Sequence, residues 1–259
     1  MIGSFENRLR ARRDSGRKLL VPYITGGLGD DWADCIRAAA DAGADAIEIG
    51  VPFSDPVMDG PVIQEASVKA LEAGATPQSI LDEVANLDAG VPLAVMTYYN
   101  LAFRAGHARF AASLARAGVA GCILPDLPFV ESGPWREAAH EAGVEAILLA
   151  APTTPDHRLS DLCDASEGFV YAVGLLGVTG QRASLSSAAT VIAGRCKEVT
   201  DKPVLIGVGV SNPEQAHEAC QAADGVVVGT AIVRRMLEGA GAEGIGELVG
   251  QFRSAIDAG

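Results

Sequence analysis

Short apolar runs alternate with amphipathic stretches along almost the whole chain. Eight runs are rich in β-branched and aliphatic residues: 19–25, 46–51, 92–98, 121–125, 145–150, 168–173, 203–208 and 225–228. They are continuous rather than alternating, as expected of parallel strands covered on both faces. Between them the apolar positions recur at helical spacing. In 31–42, Trp32, Cys35, Ile36 and Ala39 share one face, and in 186–199 Ala188, Val191, Ile192 and Cys196 predict another. Stretches 107–117, 134–142 and 213–223 predict further helices, with an extra one at 3–13 and a closing one at 245–258. A recurrent Ala-Gly, as in Ala42-Gly43, Ala117-Gly118 and Ala142-Gly143, marks the helix ends.

Eight strand–helix units in one unbroken series predict an α/β fold, a (β/α)8 TIM barrel with an extra N-terminal helix. No linker or low-complexity stretch interrupts it, so 1–259 is read as a single domain. An open dinucleotide-binding sheet fits less well: Gly207-x-Gly209 has Asn212 where the third glycine of that fingerprint belongs.

Composition narrows the function classes. With 49% hydrophobic residues the chain can bury a large core, and its net charge of −13 disfavours nucleic acid and anionic membrane surfaces as partners. No apolar stretch is long enough to span a bilayer, and the first residues lack a signal-peptide core, so a cytoplasmic location is expected. The five cysteines are scattered and the four histidines fall in predicted helices or their starts, so neither a metal site nor a catalytic histidine is expected.

The densest chemistry lies at 46–60. Glu48 sits inside the second apolar run, and Asp55 and Asp59 follow in a loop stiffened by Pro52 and Pro56. A charge in a buried strand costs several kcal/mol unless it is paired or changes its protonation. One reading is an ion pair between Glu48 and a Lys or Arg on a neighbouring strand, with Asp55 and Asp59 as ordinary turn formers. The other is a carboxylate pair for acid/base work at the strand end, where barrel active sites lie.

A second constellation favours the latter. Glycine-bearing loops follow the sixth, seventh and eighth runs: Gly177-Val178-Thr179-Gly180, Gly207-Val208-Gly209-Val210-Ser211 and Gly229-Thr230-Ala231-Ile232. Backbone N–H groups in such loops, with the Thr230 hydroxyl at a helix start, suit a phosphate without needing Lys or Arg. Thr179 and the polar stretch after it read as a lid. Tyr98, Tyr99, Asn100, Asp126 and Tyr171 are further candidates at strand ends, although each singly also fits a buried tyrosine or a turn residue.

These residues carry a resemblance to the tryptophan synthase α-subunit family. The stretch from Ile47-Glu48-Ile49-Gly50-Val51-Pro52-Phe53-Ser54-Asp55-Pro56 through Asp59-Gly60-Pro61 looks like that family's signature, and the loops at Gly177 and Gly229 look like its later motifs. The resemblance spans essentially the whole chain. It implies a barrel that cleaves indole-3-glycerol phosphate by a retro-aldol reaction to indole and D-glyceraldehyde 3-phosphate. It implies that Glu48 protonates indole C3 and takes the side-chain hydroxyl proton, and that Asp59 binds the indole N–H. Tyr171 would lie near the glycerol chain; Tyr98, Ile63 and Asp126 would occupy pocket or supporting positions. Thr179 would orient Asp59 from the lid, and Gly180, Gly209, Gly229 and Thr230 would hold phosphate. It further implies a β-subunit partner in an αββα complex, met through Asp55, Pro56 and the following helix, with pyridoxal phosphate on the partner and no cofactor here. Met58 and Thr230 depart from the family pattern, where alanine and serine are common. A stand-alone lyase releasing free indole and a regulatory subunit that activates its β partner are the alternatives.

Overall fold

The computed structural model describes residues 3–174, 187–207 and 209–258. Strands β1 (Leu19–Thr25), β2 (Ile47–Gly50), β3 (Leu93–Met96), β4 (Gly121–Ile123), β5 (Glu145–Ala150), β6 (Val170–Ala172), β7 (Val204–Ile206) and β8 (Gly225–Val228) form a closed parallel barrel in sequence order. Closure is made by β1, which pairs with β2 on one side and β8 on the other. The fold expected from the sequence is the fold observed.

Strand pleating divides the core in two. Leu19, Val21, Ala46, Ala94, Ile123, Ile147, Phe169, Leu205 and Val227 pack together inside the barrel. Their strand neighbours Leu20, Ile47, Ile49, Val95, Val204 and Val226 pack outward against the helices. Every other position of a barrel strand therefore faces the axis, and Glu48, two residues after Ala46, shares the inward parity.

The N-terminal helix, Ser4–Asp14, plugs the end of the barrel where the strands begin. Phe5 and Leu9 are fully buried in the inner cluster, and Phe5 stacks on Phe169 with ring centroids 6.2 Å apart. The Glu145 carboxylate, at the first position of β5, accepts the backbone N–H of Phe5 at 2.7 Å and of Glu6 at 2.8 Å. It thus satisfies two of the free donors at the start of the helix and meets the positive end of its dipole.

Several element edges differ from the sequence expectation. The third run ends as a strand at Met96 because the Thr97 hydroxyl turns to the Val51 carbonyl and a new helix, Tyr99–Ala105, starts directly after Tyr98. The fourth strand stops at Ile123, since Leu127 N–H closes a turn on the Leu124 carbonyl. In Ser187–Val199 the buried stripe is Ala189, Ile192, Ala193 and Cys196, while Val191 is 60% exposed. Small residues let this helix lie close to the barrel, and that rotates the expected face.

Replacing Glu145 by alanine should unpin the plug. The expected loss is about 1–3 kcal/mol of stability from two stranded backbone donors, read by denaturant unfolding; an unchanged midpoint would show that the plug holds without it.

Candidate active site

The cavity at the C-terminal mouth of the barrel is built from the inward positions nearest the strand ends. Tyr23 of β1, Glu48 of β2, Met96 of β3, Leu149 of β5 and Tyr171 of β6 all line it. Asp59 and Met58 reach it from the loop after β2, Ile63 from the helix Pro61–Glu72, and Gly209, Gly229 and Thr230 from the loops after β7 and β8. Thr230 is the first residue of the helix Thr230–Leu237, so backbone N–H groups at its start open toward the mouth. Two glycines make room for the aromatic walls. A Cβ on Gly50 would lie 1.8 Å from the Tyr23 hydroxyl, and one on Gly207 would lie 1.9 Å from the Tyr171 ring.

Buried carboxylates elsewhere in this barrel are bonded. Besides Glu145, Asp45 pairs with Arg17 at 2.9 Å and Arg253 at 3.1 Å, and Asp224 accepts from Lys197 at 2.8 Å through both oxygens and from the Val204 N–H at 2.9 Å. Glu48 is the contrast: it is wholly buried, and neither carboxyl oxygen has a hydrogen-bond partner among the described residues. It faces Tyr23 on β1 and Ala94 on β3 rather than any cation. The ion-pair reading of Glu48 is therefore replaced by protonation. Burial pushes its carboxyl up to about 8, with the charge of Asp59 adding to the rise.

Asp59 is handled differently. Burial raises it to about 6, and a hydrogen bond from Tyr98 opposes the rise. The Tyr98 hydroxyl donates to Asp59 Oδ2 at 3.1 Å and accepts the Met58 N–H at 2.9 Å. Its ring stacks on Phe53 with centroids 5.1 Å apart. Tyr98 thus fastens the loop after β2 and orients its carboxylate. Between about pH 6 and 8 the mouth holds one neutral carboxyl, Glu48, and one ionised carboxylate, Asp59. A proton donor and an anionic acceptor then share one cavity.

Of the residues singled out from the sequence, Glu48, Asp59, Ile63, Tyr171, Gly209, Gly229 and Thr230 meet in this cavity. Tyr98 stands behind Asp59. Asp126 faces a neighbouring groove, and its Oδ1 accepts the Tyr99 N–H at 2.7 Å. Asp55 is exposed and Pro56 half-buried on the outer side of the same loop. Thr179 and Gly180 lie outside the described residues. Tyr23, Met96 and Leu149 were not singled out; their inward parity along β1, β3 and β5 is the pattern that identifies them.

Glu48 couples this site to stability. Its carboxyl titrates near 4.5 in an unfolded chain and near 8 in the folded one, so stability falls as pH rises through that window. Glu48→Gln, which removes the ionisation, should match the wild type near pH 5 and exceed it near pH 9 by on the order of a few kcal/mol. Denaturant unfolding at both pH values tests this, and a pH-independent difference would refute it.

The chain matches the family model described as tryptophan synthase alpha chain over residues 9–249. The tryptophan synthase alpha chain of Streptomyces coelicolor is 44% identical over 261 residues, covering 96% of this chain and 94% of that protein. That of Halobacterium salinarum is 46% identical over 238 residues, covering 89% and 86%. Among solved structures, a chain of Mycobacterium tuberculosis tryptophan synthase superposes with a TM-score of 0.92 at 38% identity, covering 100% of both chains.

Proposed function

We propose, for a chain that belongs to the tryptophan synthase alpha chain family, that Glu48 and Asp59 divide the proton-transfer and charge-stabilising roles of that family's reaction. The reaction is the retro-aldol cleavage of indole-3-glycerol phosphate to indole and D-glyceraldehyde 3-phosphate, a carbon–carbon lyase reaction. Indole is a poor leaving group until its C3 carries a proton. Neutral Glu48 supplies that proton, which leaves positive charge on the ring nitrogen. Asp59 accepts the N–H and stabilises that charge. Glu48, now ionised, takes the proton from the hydroxyl on the adjacent side-chain carbon. The carbon–carbon bond then breaks, its electron pair restores the aromatic ring, and the hydroxyl carbon becomes the aldehyde. Glu48 ends as it began, protonated. The observation that carries this reading is the unpartnered Glu48 carboxyl beside an Asp59 held by Tyr98.

The remaining assignments follow the shape of the cavity. Tyr171 lies on the inner wall, where it can meet the glycerol chain. Gly209, Gly229 and Thr230 offer backbone donors and a hydroxyl to the phosphate, with Gly180 as a further contributor. Thr179, outside the described residues, is assigned the role of orienting Asp59. Ile63 contributes apolar wall, and Asp126 supports it through the helix that Tyr99 begins. The acid/base sequence needs no cofactor in this chain. Pyridoxal phosphate belongs to the β partner, and among the described residues no lysine lines the cavity to form a Schiff base.

The partner is a tryptophan synthase β subunit in an αββα complex, meeting the face that carries Asp55 and Pro56. Exposed apolar side chains on that end of the barrel support this. Val57 after β2, Phe103 after β3 and Val130 after β4 are 80%, 65% and 66% exposed. Among the described residues no helix is long and apolar enough to cross a membrane, and we assign the complex to the cytoplasm.

Glu48→Gln should lower indole formation by about 10²–10⁴ in rate with an intact fold; Asp59→Asn should fall in the same range. Wild-type kcat/KM should rise as Asp59 ionises near pH 6 and fall as Glu48 ionises near pH 8. Indole release from indole-3-glycerol phosphate by the isolated chain measures all three, and full activity in Glu48→Gln would remove the assignment. Separately, Phe103→Glu should weaken association with the β subunit by at least about tenfold, as loss of a buried aromatic contact does, read by analytical ultracentrifugation.

A further inference from the structure

Two cavities meet at the barrel mouth. One holds Glu48 and Asp59; the other is an apolar groove between the loops that follow β4 and β5, lined by residues such as Leu124, Leu127 and Phe129. Met58, Pro125 and Leu149 line both, so these three residues stand between them. Pro125 is a rigid ring at the end of β4, and Leu149 is fixed on β5. Met58 differs. Its backbone is pinned through the N–H that donates to Tyr98, while its half-buried side chain is an unbranched thioether, a shape suited to filling a gap.

Strand order fixes what meets these three residues. In a closed eight-stranded barrel the loops after β7 and β8 stand across from β3 and β4. A phosphate held by Gly209, Gly229 and Thr230, with the reacting carbon at Glu48 on β2, sends the far end of the substrate toward Met96, Pro125 and Leu149. Asp59 takes the ring N–H, and Met58 is its neighbour in sequence. The benzo edge of the indole, remote from the phosphate-bearing chain, then abuts Met58.

We propose that Met58 is a specificity-determining residue that closes the ring pocket and excludes indoles substituted at C6, the ring carbon farthest from the side-chain attachment. This rests on reading the cavity as the indole-3-glycerol phosphate site. Truncating Met58 joins the ring pocket to the apolar groove beyond, where a substituent gains apolar surroundings rather than a clash. Pocket contacts of methyl size discriminate by about 10–200-fold.

The test compares kcat/KM for indole-3-glycerol phosphate and its 6-methyl analogue. The wild type should favour the unsubstituted substrate by at least about tenfold. Met58→Ala should bring the two within about threefold, and Met58→Leu, which conserves volume, should keep the wild-type ratio. Met58→Val, shortened less severely, should relax the ratio at least about threefold and serves if the alanine variant folds poorly. A wild type that accepts both substrates equally overturns the proposal, as does a truncated variant that cleaves the parent substrate with the ratio unchanged. A wild type that cleaves neither substrate contradicts the reading of the cavity itself, before Met58 is at issue.

Discussion

The carboxyl of Glu48 is enclosed by apolar and aromatic walls with no donor or cation among the described residues to hold its charge. Protonation is its way of tolerating burial, and the rest of the mouth is arranged around that state. Register puts it opposite Tyr23 and Ala94. Gly50 and Gly207 admit the two tyrosine rings that crowd it, where any larger residue would collide. Asp59, near enough to add to the rise of Glu48, gains from Tyr98 the hydrogen bond that keeps it the stronger acid. Two carboxyls of similar intrinsic acidity thereby take opposite protonation states near neutrality.

The absence of cations from the described lining has a second consequence. A lysine or arginine close by would suit a phosphate, yet it would also draw the Glu48 carboxyl back toward ionisation. Binding the phosphate through backbone N–H groups at the start of Thr230–Leu237 avoids that conflict, since those groups bring no full positive charge into the mouth. Charged pairs are instead placed where chemistry does not occur. Glu145 under the N-terminal helix and Asp45 with Arg17 and Arg253 sit where the strands begin. The barrel separates a stabilising end, where buried carboxylates are bonded, from a reactive end, where that of Glu48 is not, as this architecture generally separates stability from chemistry.

The strands were legible because each is a buried apolar run, and their number and spacing leave little choice of topology. Glu48 was legible as a charge in such a run, but its state was not: Glu145 is also a carboxylate in a buried strand, and its partners are the N–H groups of Phe5 and Glu6, distant in sequence. Only geometry separates the carboxylate that caps a helix from the one left neutral. Tyr98 was legible as a strand-end tyrosine, whereas its grip on Asp59 depends on the path of the loop after β2. The helix Pro77–Val84, closed by a Thr76–Ser79 capping box, was readable in principle from that pair but carries too short an apolar pattern to stand out. Met58 lies between two cavities, a property that periodicity does not encode.

Glu48 is a neutral acid in the folded protein near pH 7. Infrared difference spectroscopy of the carboxylic acid C=O stretch, titrated from pH 5 to 9 and assigned by subtracting Glu48→Gln, tests it most directly. A protonated band from Glu48 should be present at pH 5 and disappear with a midpoint near pH 8. A band already lost by pH 5 would mean that Glu48 is ionised in the resting site and is not the proton donor.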